Sequence, residues 1–218
     1  PHGRQLVPVA NPGAEVMALD FYYASGSPYA WRVWLALTHK AIPFDWKLLS
    51  FDAGDLQKPS FHAINPREKV PAIVDDGFAL YESSAILEYL EDRKPEPRLF
   101  STDRRERAIQ RRMIREADAY FAEAMEHLLE AVMEKKPADP EPMRAELARW
   151  EAALTGDFLA GALSAADFTL YPMAALLERV GKRSQAMPAD LIPPRLDAWM
   201  ARMAAMDIVQ KTRPPHWK

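Results

Sequence analysis

The order of hydrophobic patterns constrains this chain more than any other feature. Strand-like and helix-like segments alternate up to about Arg93, and every segment from about Ser101 onward is spaced as a helix. The junction is Lys94-Pro-Glu-Pro-Arg98, whose two prolines resist both a helix interior and a central strand, so a domain boundary is expected at residues 94–101. The expected fold class is therefore α/β followed by all-α, with residues 17–94 in the first domain and 101–218 in the second. Residues 1–16 hold three prolines and no apolar core of signal-peptide length. They are expected to be an extension outside the fold, with Met17 as the start and the cytoplasm as the default setting.

Within the first part, Leu19–Tyr23 reads as a strand, Ser25-Gly-Ser-Pro28 as a turn into a helix that runs to about Lys40, and Pro43–Leu49 as a second strand. A helix between two strands predicts a parallel, right-handed βαβ unit. Pro28 suits the first helical position because its missing N–H has no partner there anyway, and Ser27 suits the cap before it. Residues 54–63 read as irregular and partly helical. Pro71–Val74 and Phe78–Tyr81 flank Asp75-Asp76-Gly77, a hairpin signal, and Ser83 or Ser84 is expected to cap a helix to about Arg93. The second part opens with a long helix, about Thr102 to Lys136, followed by helices near 141–155, 165–180 and 190–206. Ser164-Ala-Ala-Asp167 is a variant capping box and reads as a folding device.

Composition narrows the chemistry by exclusion. With 28 Lys plus Arg against 31 Asp plus Glu, the net charge is −3, and no apolar run approaches the ~18 residues that span a bilayer, so neither nucleic acid nor membrane is an expected partner. Arg104, Arg107, Arg111 and Arg115 share a helix face, but Glu106 and Glu116 intervene, which predicts a solvated or dimer-facing surface. The five histidines have no metal-ligand spacing, and the eight glycines form no dinucleotide fingerprint, phosphate loop or nucleophile elbow. No metal, no nucleotide cofactor and no serine-hydrolase chemistry are expected. There is no cysteine, so any sulfur chemistry must use a sulfur brought by a ligand.

Four segments carry a resemblance. Ser27-Pro-Tyr-Ala-Trp-Arg-Val33 resembles the active-site turn of serine-type glutathione S-transferases of the tau- and zeta-like classes. Asn65-Pro-Arg-Glu-Lys-Val-Pro-Ala-Ile73 and Tyr81-Glu-Ser-Ser-Ala-Ile-Leu-Glu-Tyr-Leu90 resemble that family's glutathione-binding segments, in the right order and spacing. Gly161-Ala-Leu-Ser-Ala-Ala-Asp167 is similar to its C-terminal helix-start signature. The resemblance implies a thioredoxin-like N-terminal domain, an all-helical C-terminal domain, glutathione as co-substrate and usually a homodimer.

Glutathione carries two carboxylates, an ammonium and a thiol, and the residues supply a partner for each. A hydroxyl at the start of a helix can donate to sulfur while the helix end offers positive partial charge, which makes Ser27 the candidate catalytic residue. Lowering a thiol pKa of about 8.5 by about two units needs roughly 2.7 kcal/mol. One charge-assisted hydrogen bond of about 1.5–3 kcal/mol plus a helix-end contribution of about 0.3–2 suffices. Ser27 could alternatively serve as a cap alone, and Ser25, Tyr22 and Tyr23 are rival hydroxyl donors. By resemblance, Val70-Pro71 is a cis-proline step whose Val70 backbone pairs with the ligand's cysteinyl unit as an added strand. Ser83 would bind the γ-glutamyl carboxylate and Glu82 the ammonium. Lys69 could neutralise a ligand carboxylate, and Gln57, Lys58 and His62 are open alternatives for the glycyl end. Tyr29, Trp31, Met113, Tyr120, Phe121, Met125 and Trp217 could line an apolar electrophile pocket or belong to the core.

The expected activity is conjugation of glutathione to small apolar electrophiles. A zeta-like glutathione-dependent cis-trans isomerase and a non-catalytic binding or assembly module are the alternatives. Pro28 and Tyr29 depart from the small or sulfur-bearing residues typical of the zeta turn.

Overall fold

A computed structural model describes residues 18–184, 187–188 and 190–217. The proposed extension at 1–16 and the start at Met17 lie outside the described residues. Strand β1 (Leu19–Tyr23) is followed by helix α1 (Pro28–His39), β2 (Phe44–Leu48), a short helix α2 (Pro59–His62), β3 (Ala72–Asp75), β4 (Phe78–Tyr81) and α3 (Ser83–Arg93). The sheet order is β2-β1-β3-β4, with β1 and β2 parallel and the other neighbours antiparallel. This is the mixed sheet that the resemblance implies. The β3–β4 hairpin turns at Asp76 (φ +48°) and Gly77 (φ +80°), and two positive φ angles are what a two-residue hairpin turn of matching twist requires.

Helix α4 (Arg104–Glu116) runs through a π-helical turn, Ala117–Phe121, into α5 (Ala122–Met133), so the expected long helix is a single rod with a bulge. Helices α6 (Glu141–Ala153), α7 (Ala165–Ser184) and α8 (Pro194–Ala205) follow, and a short helix α9 (Asp207–Thr212) and a 3₁₀ turn (Pro215–Trp217) were not foreseen. The capping box forms as expected. Asp167 accepts from the Ser164 N–H (3.0 Å), and also from the Leu159 N–H and the indole of Trp199.

Helix α1 is the hub of the molecule. It packs against α3 on one side and against α7 and α9 on the other, burying Trp31, Val33, Leu35 and Leu37 in one hydrophobic cluster with residues from both halves. The junction after α3 is pinned by Lys40, which is 0% exposed and donates to the carbonyls of Lys94 (2.6 Å) and Pro97 (2.9 Å) while pairing with Glu91 (2.6 Å). Glu91 in turn accepts from the Leu99 N–H. Among the described residues, no helix is long and apolar enough to cross a membrane.

Candidate active site

The loop after β1 closes into a four-residue turn when the Ser27 N–H donates to the Ala24 carbonyl (3.2 Å), with Gly26 at φ +91° in the third position. Ser27 then caps α1, and its Oγ accepts from the Ala30 N–H (3.2 Å), with Pro28 in the first turn. The two expected roles of this serine do not compete. A hydroxyl has two lone pairs and one proton, and the cap uses a lone pair, so the O–H remains free to donate. Ser27 also lines a cavity of about 520 Å³ with Phe51, Leu176, Val180, Arg179, Arg183 and Trp217 among its other walls.

The rival donors are placed differently. Ser25 is exposed and its Oγ is hydrogen-bonded to His216 Nδ1 (2.8 Å). Tyr22 lies against Phe61, and Tyr23 packs edge-on to Trp46 with ring centroids 4.9 Å apart. Burial raises the pKa of both phenols, which makes them poorer donors to a thiolate.

The Val70–Pro71 peptide is cis. Val70 is buried in a small cluster with Ala24, Leu56, Phe61 and Ala72, which brings it beside the turn that carries Ser27. Among the described residues neither its N–H nor its C=O is taken up by a turn or ladder, so an extended ligand can use both. The preceding loop is tied by Asn65, whose side chain donates to the Lys69 carbonyl (2.6 Å) and accepts from the Arg67 N–H (3.0 Å). The Lys69 ammonium is exposed and pairs with no carboxylate among the described residues.

At the start of α3 the expected cap shifts by one residue. Glu82 holds the N-cap position at φ +68°, without a side-chain cap bond, and Ser83 is the first helical residue. A positive φ at a non-glycine residue costs about 1–3 kcal/mol and persists where its surroundings require it. The Glu82 carboxylate is exposed, pairs with no cation among the described residues and sits next to the first N–H groups of a helix. Ser83 is 5% exposed and its Oγ accepts from Arg32 Nη2.

Arg32 is one of the residues beside the candidate site that sequence reasoning missed. It lies on α1 and is 2% exposed, with Nη1 2.8 Å from Asp118 of the π-helical turn and the guanidinium 5.2 Å from the Tyr29 ring centroid. The ion pair is close but not aligned as a hydrogen bond, and Arg32 Nε is buried without a hydrogen-bond partner. Arg32 therefore ties the helix that begins at Ser27 to the hydroxyl of Ser83. Its only signal in the sequence was its place within the Ser27–Val33 segment.

Three candidates for the glycyl end are not separated. Lys58 pairs with Asp55 (2.6 Å) and His62 with Glu68 (2.9 Å), both on the surface, and Gln57 ends a 3₁₀ turn, Asp55–Gln57, just before Lys58. Of the candidate pocket residues, Trp217 lines the Ser27 cavity. Met113, Phe121 and Met125 are core, and Tyr120 faces a separate cavity of about 610 Å³ beside Trp150. Phe51, Arg179 and Arg183, which were not anticipated, line the Ser27 cavity instead. Burial, then the charges of Arg183 and Arg213, lower the pKa of Arg179. No carboxylate among the described residues pairs with Arg179, Arg183 or Arg213.

Two family models match the chain, the glutathione S-transferase N-terminal domain over residues 26–93 and the C-terminal domain over residues 114–202. Among solved structures, a glutathione S-transferase from the Antarctic clam Laternula elliptica is 30% identical, with 92% of this chain and 94% of that one covered and a TM-score of 0.81. A glutathione transferase homolog from sulfitobacter, solved with bound glutathione, shares the fold at 23% identity, 92% and 99% coverage and a TM-score of 0.77. Maleylacetoacetate isomerase of Pseudomonas aeruginosa is 42% identical over 99 residues, a match that covers 44% of this chain and 45% of that protein.

Proposed function

The chain belongs to the glutathione S-transferase family, and from that premise we propose that it binds reduced glutathione, ionises the thiol through Ser27 and conjugates it to small electrophiles. The observation that carries this reading is the free O–H of Ser27 at a helix N-terminus, facing a cavity large enough for a second substrate. In this reading Val70 pairs with the cysteinyl backbone, Ser83 and the first N–H groups of α3 take the γ-glutamyl carboxylate, and Glu82 takes the ammonium. Lys69 neutralises a carboxylate from the exposed side. With Arg32 donating to the Ser83 oxygen, the Ser83 proton is directed to the ligand, and the fixed positive charge favours the anion. The sulfur then attacks an electron-poor carbon held in the cavity, and proximity adds to thiolate formation. The residues act without metal or nucleotide, and the chain works as a homodimer in a cytoplasmic setting, built as a thioredoxin-like domain to residue 94 and a helical domain from 101.

The test is the ultraviolet absorbance of bound glutathione thiolate, titrated against pH. The wild-type protein is expected to show thiolate at neutral pH, and Ser27→Ala to raise the apparent pKa by about one unit or more, since a unit corresponds to about 1.4 kcal/mol and the lost bond is worth that. Wild-type protein without a thiolate signal would support a non-catalytic module instead.

A second reading, a glutathione-dependent isomerase, is favoured by the charges of Arg179 and Arg183 at the cavity wall, which no carboxylate among the described residues neutralises and which suit an anionic substrate, and by the partial match to maleylacetoacetate isomerase. Assaying maleylacetone isomerisation beside an aryl halide separates the two activities.

A further inference from the structure

Resting on the Ser27 reading, we infer that the C-terminal turn is a working part of this site and that His216 is a positioning residue for Ser27. Two of the four residues in the Ala24–Ser27 turn are held by one imidazole. His216 Nδ1 is hydrogen-bonded to Ser25 Oγ at 2.8 Å, and the ring lies against Gly26 so closely that a Cβ there would fall 3.0 Å from His216 Nε2. Glycine at this position thus answers both to its φ of +91° and to the imidazole.

His216 is itself held from outside the turn. Arg179 of α7 donates to the carbonyls of His216 (2.7 Å) and Trp217 (3.1 Å), and its guanidinium lies 5.4 Å from the Trp217 ring centroid. Trp217 is 6% exposed and meets Trp31 of α1 edge to face, with centroids 5.2 Å apart. The Trp31 indole donates to Thr212 at the end of α9 (3.0 Å). A continuous set of contacts therefore runs from α7 through the tail to the turn that sets the direction of the Ser27 hydroxyl.

The consequence follows from how steeply a charge-assisted hydrogen bond depends on geometry. An exposed turn free to shift by a fraction of an ångström weakens the O–H to sulfur bond without altering the cap or the core, whereas a braced turn keeps it short. His216 also lines the cavity beside Ser27, and the part inferred for it is to hold the turn under Ser27, a role that the double variant below separates from a direct contact with the electrophile.

The experiment is a thiolate titration with glutathione alone, together with conjugation kinetics, on His216→Ala, His216→Asn, Ser27→Ala and the double variant S27A/H216A. His216→Ala is expected to raise the apparent pKa of bound glutathione by about half a unit or more and to lower kcat/KM at neutral pH by about three- to tenfold. His216→Asn, which can still bond Ser25, should recover most of that loss. The double variant should be no slower than Ser27→Ala within about twofold, because a brace has nothing left to position. A wild-type pKa in His216→Ala, or losses that multiply in the double variant, would overturn the inference while leaving Ser27 in its role. If Ser27→Ala itself leaves the thiolate signal unchanged, the Ser27 reading fails and the inference falls with it.

Discussion

In the proposed reading Ser27 serves folding and chemistry together, since its oxygen closes the helix end while its proton stays available. Residues of this kind were legible because both roles select the same residue type at the same place, next to a proline at the first helical position. The cis step at Val70 was legible through its proline, and the α3 start at Glu82 and Ser83 through the helix they open, while their proposed contacts to a ligand rest on the resemblance. Arg32 was not legible, because its meaning depends on Ser83 and Asp118, which are far from it in sequence and meet it only once the helices pack. Replacing it with methionine should raise the KM for glutathione by about tenfold, as the Ser83 hydroxyl loses its charged neighbour. It should also cost about 3–5 kcal/mol of stability, because the largely buried Asp118 carboxylate would be left unpaired. Steady-state kinetics and a denaturant midpoint read the two effects separately. An unchanged KM would remove Arg32 from the site.

At the scale of the element, local rules predicted well wherever local interactions decide. The Asp-Gly hairpin, the Ser27-Pro28 helix start and the Ser164–Asp167 box all form as read. They failed where tertiary packing decides. Serine is the better capping residue, yet α3 is capped by Glu82 with a strained φ, and nothing in the spacing marks the π-helical turn that carries Asp118 towards Arg32. Helix α3 is also tied to the sheet in a way that titrates. Tyr89 donates to Asp75 of β3 (2.6 Å), and burial, followed by that hydrogen bond, pushes its hydroxyl from 10.0 up to about 12. The proton is held more tightly in the folded protein than in the unfolded chain. The contribution is therefore complete below about pH 10 and lost as pH rises towards 12. Thermal unfolding should show a falling Tm across that window, flattened in Tyr89→Phe, with the remaining slope reporting on Tyr171, which burial also pushes to about 12. A slope unaffected by the substitution would mean that the Tyr89 contact does not couple to folding.

Over the whole molecule, the change from alternating strands and helices to helices alone was enough to anticipate the two architectures, because each pattern admits few ways of layering its elements. What the pattern could not supply is how the halves close on each other. Helix α1 is shared between them, the cavity beside Ser27 takes residues from α7 and from the tail, and the C-terminal turn lies against the first active-site loop. Such contacts join residues at opposite ends of the chain and leave no periodicity to read. The junction itself rests on Lys40. Lys40→Met should strand Glu91 and free the carbonyls of Lys94 and Pro97, lowering stability by about 3–5 kcal/mol. Glutathione affinity, measured well below the transition, should stay within about twofold of wild type. A large loss of affinity with stability intact would place Lys40 in the site instead of at the hinge between its walls.

In the proposed mechanism a ligand's sulfur rests on the hydroxyl of Ser27. A crystal structure of the protein with reduced glutathione tests it most directly. The sulfur is expected within about 3.5 Å of Ser27 Oγ, with the cysteinyl backbone paired to Val70 and the γ-glutamyl end at Glu82 and Ser83. A sulfur seated on Ser25, Tyr22 or Tyr23, or pointing away from the α1 N-terminus, would contradict it.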